Sequence, residues 1–366
     1  MHIYKDYCPV IGGIENHLRL LAEAQVEQGL EVTVLVTSLT TRTEIQDMNG
    51  VRVIKAARLA TLASTPLSLS LPSVLRRLKP DITHLHSPYP LGELAQLYLG
   101  RSNKTVITYH SDIVRQRTLL HLYAPFLRRV LAKADRIIAT SPQYVRTSPY
   151  LSQWPDKCQV IPYGIDVDRF LGRDRRRVEE TESRYGHPLL IFVGQLRYYK
   201  GLEVLVEAMT RVEAKVLIIG GGGPVEREKL SRLVAERGVE EKIYFIGEQE
   251  ANLPAYYQAC DLLVLPSTHR SEAFGIVQLE AMACGKPVIC TELSTGTSYV
   301  NIDGQTGLVV PPRDPSALAG AIQRLLADPG LREEMGRRAR ERVAQEFTLQ
   351  KMVDRILALY EALLSA

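Results

Sequence analysis

Two glutamates eight positions apart are the side chains of this sequence best placed to do chemistry. Glu272 precedes a predicted helix over Gly275–Cys284, and Glu280 lies within it. No lysine or arginine lies three or four residues from Glu280, so no local ion pair neutralises that carboxylate. Burying a bare carboxylate is costly, so Glu280 needs hydrogen-bond donors, which ligand hydroxyls could supply. The free N–H groups at the start of the helix favour an anion.

A second group of charged side chains follows an earlier apolar run. Residues 189–194 are predicted to form a strand, and a helix is predicted to begin at Leu202. Arg197 and Lys200 lie between the two. Two cations between a strand and a helix form a clamp suited to a diphosphate.

Histidines end two predicted strands of the first half of the chain. His110 closes a β-branched strand at its carboxyl edge, where open parallel sheets bind ligands. The plainer interpretation is a histidine that anchors its loop. His84 and His86, two residues apart, share one face of another strand. The sequence shows no third ligand near them, so we expect no metal site.

The elements that position these residues alternate between apolar strands and helices. This pattern predicts an α/β protein, and 366 residues are enough for two domains with separate cores. We expect the first domain at residues 1–172 and the second at 173–348. A last helix is predicted over about 349–366.

The glutamate-bearing stretch reads PS-(x4)-EAFG-(x4)-EAMA-x-GKPV and begins at Pro266. It resembles the donor-sugar motif of retaining glycosyltransferases of family 4, and the resemblance extends over nearly the whole chain. It implies the GT-B fold, in which two Rossmann-like domains face a cleft and the C-terminal helix crosses back to the first domain. It also implies transfer of a hexose from a UDP- or GDP-sugar to an acceptor hydroxyl, with retention and without a metal.

The resemblance also implies roles for the candidate residues. Glu272 would hold the sugar hydroxyls and Glu280 the ribose hydroxyls. Lys200 and the backbone at Phe274, Gly275 and Ile276 would stabilise the leaving diphosphate.

In the first domain, the resemblance implies that the loop carrying Gly13 faces the diphosphate and the acceptor. It implies that His110 positions groups near the sugar. We therefore take Glu272, His110 and Lys200 as the catalytic candidates.

One position departs from the family pattern, and two rival functions stay open. Family members commonly carry an arginine directly after the strand-ending glycine, where this chain has Gln195; Arg197 is the candidate replacement. A nucleotide-sugar epimerase can use the same two-domain fold. A catalytically silent protein that binds nucleotide sugars is the other alternative.

No cofactor is expected. The glycines of residues 220–224 follow a strand, but Val225 fills the sixth place of the dinucleotide fingerprint G-x-G-x-x-G. The five cysteines are scattered and never spaced CxxC, which favours a reducing compartment. With no apolar run long enough to span a bilayer and no signal-peptide pattern, we expect a cytoplasmic protein.

The charge distribution limits the classes of partner. The first 170 residues carry a net charge of +6 and the remainder −2, too weak a basic patch for nucleic-acid binding. A basic amphipathic stretch over Arg115–Arg136 could rest on an anionic membrane surface, although a helix packed on its own domain with a solvated face is the plainer explanation. The expected partners are a nucleotide sugar and a carbohydrate or lipid-linked acceptor.

Overall fold

The computed structural model describes residues 1–10, 12–62, 65–113, 117–172 and 174–365. Backbone contacts divide the chain into two compact units. Unit 1 comprises Met1–Tyr163 with Leu349–Ala366, and unit 2 comprises Gly164–Thr348. The division therefore falls after residue 163, where the sequence predicted it after residue 172. Residues 164–172 pack with unit 2, since the Phe170 ring meets Tyr257 edge-on.

Unit 1 is built on an eight-stranded sheet with the order β10-β9-β8-β7-β1-β2-β4-β3, and β5 and β6 form a separate hairpin. The strands are β1 (His2–Ile3), β2 (Thr33–Thr37), β3 (Glu44–Met48), β4 (Val51–Ala56), β5 (Ala60–Leu62), β6 (Thr65–Leu67), β7 (Ile82–Ser87), β8 (Lys104–Tyr109), β9 (Arg136–Ala139) and β10 (Cys158–Val160). All neighbours in the large sheet are parallel except β3 and β4.

Within the described residues, five α-helices precede Tyr163 in unit 1. They are α1 (Gly13–Glu27), α2 (Ser70–Leu75), α3 (Pro90–Leu99), α4 (Arg117–Lys133) and α5 (Pro142–Thr147). The apolar face of α1, which includes Leu18 and Leu21, is fully buried, as its periodicity predicts. Residues 114–116, at the start of the basic stretch, lie outside the described residues.

Unit 2 contains a six-stranded parallel sheet with the order β13-β12-β11-β14-β15-β16. The strands are β11 (Leu189–Val193), β12 (Lys215–Ile219), β13 (Ile243–Gly247), β14 (Leu262–Leu265), β15 (Val288–Thr291) and β16 (Gly307–Val310). Leu190 and Phe192 of β11 join a core cluster on one face. Leu189 and Ile191 alternate with them and are equally buried, so both faces of the strand are covered, as in doubly wound sheets.

In the part of the chain that the structure describes, nine α-helices belong to unit 2, and one more follows at the C-terminal end. They are α6 (Asp168–Leu171), α7 (Arg175–Tyr185), α8 (Leu202–Met209), α9 (Pro224–Glu236), α10 (Leu253–Ala259), α11 (Ile276–Ala283), α12 (Thr297–Val300), α13 (Pro315–Ala327), α14 (Pro329–Glu346) and α15 (Leu349–Leu364). Helix α15 returns to unit 1, as predicted, and contacts α1. Among the described residues, no helix has the length and apolar character needed to cross a bilayer.

Candidate functional site

The topology of unit 2 places two loops side by side at the carboxyl edge of its sheet. The chain leaves β11 for β12 on one side, and β14 lies on the other side of β11. Such a reversal of strand order opens a crevice, and open α/β sheets bind ligands there. The loop after β11 carries Lys200, and the loop after β14 carries Glu272.

Lys200 and Glu272 meet at this point and form a buried ion pair. The Nζ atom of Lys200 lies 2.6 Å from Oε2 of Glu272, and the Ser267 hydroxyl donates a hydrogen bond to the same oxygen at 3.0 Å. Burial lowers the pKa of Lys200, but the Glu272 carboxylate outweighs that effect, so the net shift of the pKa is upward. The structure therefore brings together two residues that lie 72 positions apart and that the sequence assigned to one site.

Backbone contacts lock the two loops together. The Thr268 N–H donates to the Tyr199 carbonyl at 2.7 Å. Gly201 adopts a left-handed φ of 72°, and a Cβ atom there would overlap the carbonyl oxygen of Pro266. Glycine at position 201 thus allows the close approach that holds Lys200 beside Glu272.

Helix α11 begins just beyond Glu272 and within one residue of its predicted start. Gly275 is its N-cap and has a left-handed φ of 76°. The Gln278 amide, fully buried, donates to the Phe274 carbonyl at 2.9 Å and fixes the turn that enters the helix. The first N–H groups of a helix have no acceptor within it, so the backbone at Ile276 and Val277 is suited to an anionic ligand.

Glu280 is half-buried in α11 and does find a hydrogen-bond donor, as its apolar surroundings required. The Tyr257 hydroxyl, on α10, donates to its Oε2 atom at 2.7 Å. One face of the carboxylate is therefore held by the protein. The structure places Glu280 against α10 and Glu272 against Lys200.

Gln195 stands where family members commonly carry an arginine, and the structure shows what holds its side chain. The Gln195 side chain donates to the Glu248 carboxylate at 3.3 Å, so it is held at the end of β13. Arg197 is exposed, and its positive charge acts on the nearby Lys200. A guanidinium is thus present in the loop, two residues after the family position.

In unit 1, His110 follows β8 at the carboxyl edge of the sheet, as predicted, but it is buried. Its Nε2 lies 2.9 Å from Nδ1 of His86, and its Nδ1 hydrogen-bonds the Tyr163 hydroxyl. Both ring nitrogens are therefore engaged by the protein. This arrangement suits a positioning role for His110 better than direct proton transfer, and that role stays a prediction.

Four more buried histidines lie in the same part of the core, two of them in ring contact with His110, and we call these five residues the histidine cluster. Its members are His2, His17, His84, His86 and His110. Their rings stack or meet edge-on at centroid distances of 4.7–5.9 Å for the pairs His84–His86 and His17–His86. Burial lowers the pKa of every member, to about 3 for His2 and about 4 for His17. All five are therefore neutral in the folded protein at neutral pH.

The third metal ligand that the sequence did not show is present in the fold. His2 lies beside His84 and His86, and His17 lies beside His86 and His110; in each set one nitrogen per ring falls within 4.8 Å of the others. Both nitrogens of His84 are engaged, by the hydroxyls of Tyr360 and Thr108 at 2.5 and 2.6 Å. Hydrogen bonds within the protein thus satisfy this ring without an ion.

Gly13 is the first residue of α1 and follows the N-cap Gly12. The start of α1 therefore lies at the carboxyl edge of the eight-stranded sheet, near the end of β1, which lies between β7 and β2. Ile11, in the same turn, lies outside the described residues. The position of Gly13 fits the predicted ligand-facing loop, and its role stays a prediction.

Sequence reasoning missed His2, His17, Gln25 and Tyr163 as members of this region. Each is buried and far from His110 along the chain, so only the sheet order brings them together. One signal was available: His17 lies one residue before Leu18, on the apolar face of a helix, where an unpaired polar side chain is unexpected.

Comparison with known proteins identifies the class to which this architecture belongs. Residues 174–342 match the family model for glycosyl transferases group 1, and residues 11–169 match that for glycosyltransferase family 4. The chain is 40% identical to D-rhamnosyltransferase WbpZ of Pseudomonas aeruginosa, over 95% of this chain and 92% of that protein. It is 36% identical to O-antigen chain mannosyltransferase C of Escherichia coli, over 100% and 99% of the two chains.

Solved structures agree on the fold. Sucrose-phosphate synthase of Thermosynechococcus elongatus superposes with a TM-score of 0.83 and 27% identity, covering 100% of this chain and 98% of the other. Anabaena HepE in complex with UDP and glucose gives 0.80 at 19% identity, covering 98% and 99%. The fold is that of the GT-B glycosyltransferases. The chain belongs to glycosyltransferase family 4.

Proposed function

We propose that this glycosyltransferase moves a hexose from a nucleoside-diphosphate sugar to an acceptor hydroxyl in surface-polysaccharide or glycolipid synthesis. The observation that carries the proposal is the buried pair of Lys200 and Glu272 at the strand reversal of unit 2. The names of the rhamnosyl- and mannosyltransferase relatives support a hexose donor and a polysaccharide product.

The chemistry assigned to the pair follows from its position beside α11. Negative charge grows on the leaving diphosphate, and the Lys200 cation, the Arg197 guanidinium and the first N–H groups of α11 stabilise it. Glu272 accepts hydrogen bonds from the sugar hydroxyls. Glu280, which accepts from the Tyr257 hydroxyl, also accepts hydrogen bonds from the ribose hydroxyls.

We propose that transfer proceeds with retention and without a metal ion. The acceptor attacks the face from which the diphosphate departs, and a phosphate oxygen takes the acceptor proton. No general base is then required, which suits His110, whose nitrogens are both engaged. The cation at Lys200 occupies the role that a divalent ion has in metal-dependent transferases.

A donor screen tests the proposal. UDP- and GDP-hexoses labelled in the sugar are incubated with the enzyme, with and without a lipid-linked glycan fraction, in the presence of EDTA. We expect one donor to raise the melting temperature and to label the glycan with its anomeric configuration retained. A rearranged nucleotide sugar formed without acceptor would identify an epimerase. Donor binding with no transfer to any fraction would identify a silent binding protein.

We also propose that the enzyme works in the cytoplasm at the surface of a membrane that holds its acceptor. Helix α4 supports this: Leu127, Val130 and Leu131 are buried in unit 1, and Leu122 is 73% exposed on the same helix. Arg128 and Arg129 are exposed as well. An exposed leucine and exposed arginines on one helix suit an anionic bilayer surface.

A further inference from the structure

A continuous row of hydrogen bonds crosses the core of unit 1 from Gln25 to Tyr163. His2 Nε2 lies 2.7 Å from Gln25 Oε1, and His2 Nδ1 lies 3.1 Å from His86 Nε2. His86 Nδ1 lies 2.9 Å from His110 Nε2, and His110 Nδ1 meets the Tyr163 hydroxyl. We call these five residues the relay.

The three imidazoles of the relay are neutral, because desolvation lowers their pKa values. A neutral imidazole has one N–H donor and one acceptor nitrogen. Each ring that uses both nitrogens must therefore donate on one side and accept on the other. The direction of the whole row is fixed once the direction at one end is known.

Gln25 supplies that direction. Its amide oxygen can only accept, so His2 carries its proton on Nε2 and accepts at Nδ1. His86 must then donate from Nε2 and accept at Nδ1, and His110 must donate from Nε2. The remaining nitrogen, Nδ1 of His110, accepts the proton of the Tyr163 hydroxyl.

We propose that Gln25 is a positioning residue that sets the tautomer of His110 through His2 and His86. With this order, the Tyr163 proton is committed to His110, so the phenolic oxygen can only accept from any other partner. Reversing the row would turn the same hydroxyl into a donor. A buried amide three side chains away from His110 thus decides whether this edge of unit 1 accepts or donates a hydrogen bond. The consequence for transfer rests on the proposed function, whereas the tautomer order does not.

The tautomers can be read directly by long-range ¹⁵N–¹H NMR of the full chain labelled with [¹⁵N]histidine. In the wild-type protein we expect His2, His86 and His110 all to be protonated at Nε2. A proton on Nδ1 of His110 would overturn the proposal. This first measurement needs no substitution, so it holds even where a variant does not fold.

Gln25→Met removes the acceptor at nearly constant volume. We expect loss of the single tautomer at His2, His86 and His110, seen as averaged or split ring signals, and a lower turnover with unchanged KM for the donor. Gln96→Met is the matched control, because Gln96 is also a buried helical glutamine of unit 1 but bonds Ser102 and Thr105. The control should leave the three rings unchanged.

Two further outcomes would overturn the proposal. One is an unchanged set of ring signals in folded Gln25→Met. The other is a stoichiometric shift of His17, His86 and His110 on addition of Zn²⁺ alone, which would make these rings a metal site. A failure of the proposed function is distinguishable, since it would abolish the turnover effect and leave the NMR result intact.

Discussion

Lys200 and Glu272 are each other's only close charge partner among the ion pairs of the described residues, and both are nearly buried, with side-chain exposures of 11% and 9%. Taking two charges out of water is costly, and their attraction offsets that cost only while both are present. The same two groups are those that we assign to the donor. We therefore expect the stability of the fold and the transfer activity both to depend on this pair, so that a single substitution affects both.

We expect Lys200→Met to lower the free energy of unfolding by about 3 kcal/mol, because it leaves the Glu272 carboxylate buried and unpaired. The double variant Lys200→Met/Glu272→Gln should recover most of this loss, since the amide is neutral and still accepts from Ser267. Urea unfolding of the single and double variants measures both effects. A double variant as unstable as the sum of its two single variants would show that the pair is not coupled.

The chain offers an exposed pair as a matched control. Lys229 and Glu203 meet at 2.5 Å, but their side chains are 74% and 61% exposed. Exposed pairs contribute less than about 1 kcal/mol, so Lys229→Met should hardly change the urea midpoint.

Among the elements, α4 carries the membrane proposal. Charge reversal in Arg128→Glu/Arg129→Glu should weaken binding to vesicles of anionic phospholipid by more than about tenfold, because each basic residue at such a surface contributes about 1 kcal/mol. Cosedimentation at low salt measures the binding, and raised salt should weaken it in the wild type. Arg76→Glu/Arg77→Glu, also exposed in unit 1, is the matched control. Equal loss in both variants would mean a diffuse charge effect and no site on α4.

The helices and strands that carry the donor residues were predictable, because hydrophobic runs ended by glycine or proline determine them locally. The sequence placed both ends of α11 within one residue, and it predicted the start of α15 at its observed position, Leu349. It missed β3, whose side chains are mostly exposed and which is held by antiparallel pairing with β4.

Contacts between distant elements were not predictable in the same way. The family motif assigned Lys200 and Glu272 to one site, but nothing in the residues showed that they form an ion pair. The histidine cluster depends on the placement of β1 between β7 and β2, a property of sheet order. The sequence therefore yielded His110 as a candidate and could not show that the protein engages both its nitrogens.

Over the whole molecule, the histidines are unevenly distributed. The histidine cluster lies wholly in unit 1, whereas the histidines of unit 2, His187 and His269, lie in exposed or half-buried positions. In the unfolded chain a histidine has a pKa near 6.5. The folded pKa values are lower, so the stability contributed by the neutral rings is present above pH 6.5 and is lost as pH falls.

We expect unit 1 to lose on the order of 1.4 kcal/mol per cluster histidine between pH 7.5 and 5.5. Trp154, the sole tryptophan of the chain, lies in unit 1, so its fluorescence follows that unit. At pH 5.5, the fluorescence transition of Trp154 should occur at a lower urea concentration than the loss of far-UV circular dichroism. Coincident transitions at both pH values would contradict this expectation.

Glu93 affects the pH dependence of stability in the direction opposite to the histidines, so it provides a control. Burial raises its pKa to about 7, so its contribution to stability falls as pH rises from about 4.5 towards 7. Glu93→Gln should therefore make the acid sensitivity of the Trp154 transition steeper. A shallower dependence on pH would show that the histidines are not its source.

The central claim is that the buried Lys200–Glu272 pair of unit 2 is the donor site of a hexosyltransferase. The most direct measurement is the rate of sugar transfer by folded Lys200→Met/Glu272→Gln, with the donor that the screen identifies. We predict a fall of at least about 100-fold relative to wild type, because the variant lacks the cation that stabilises the leaving diphosphate. Near-normal turnover in a double variant with wild-type stability would contradict the account.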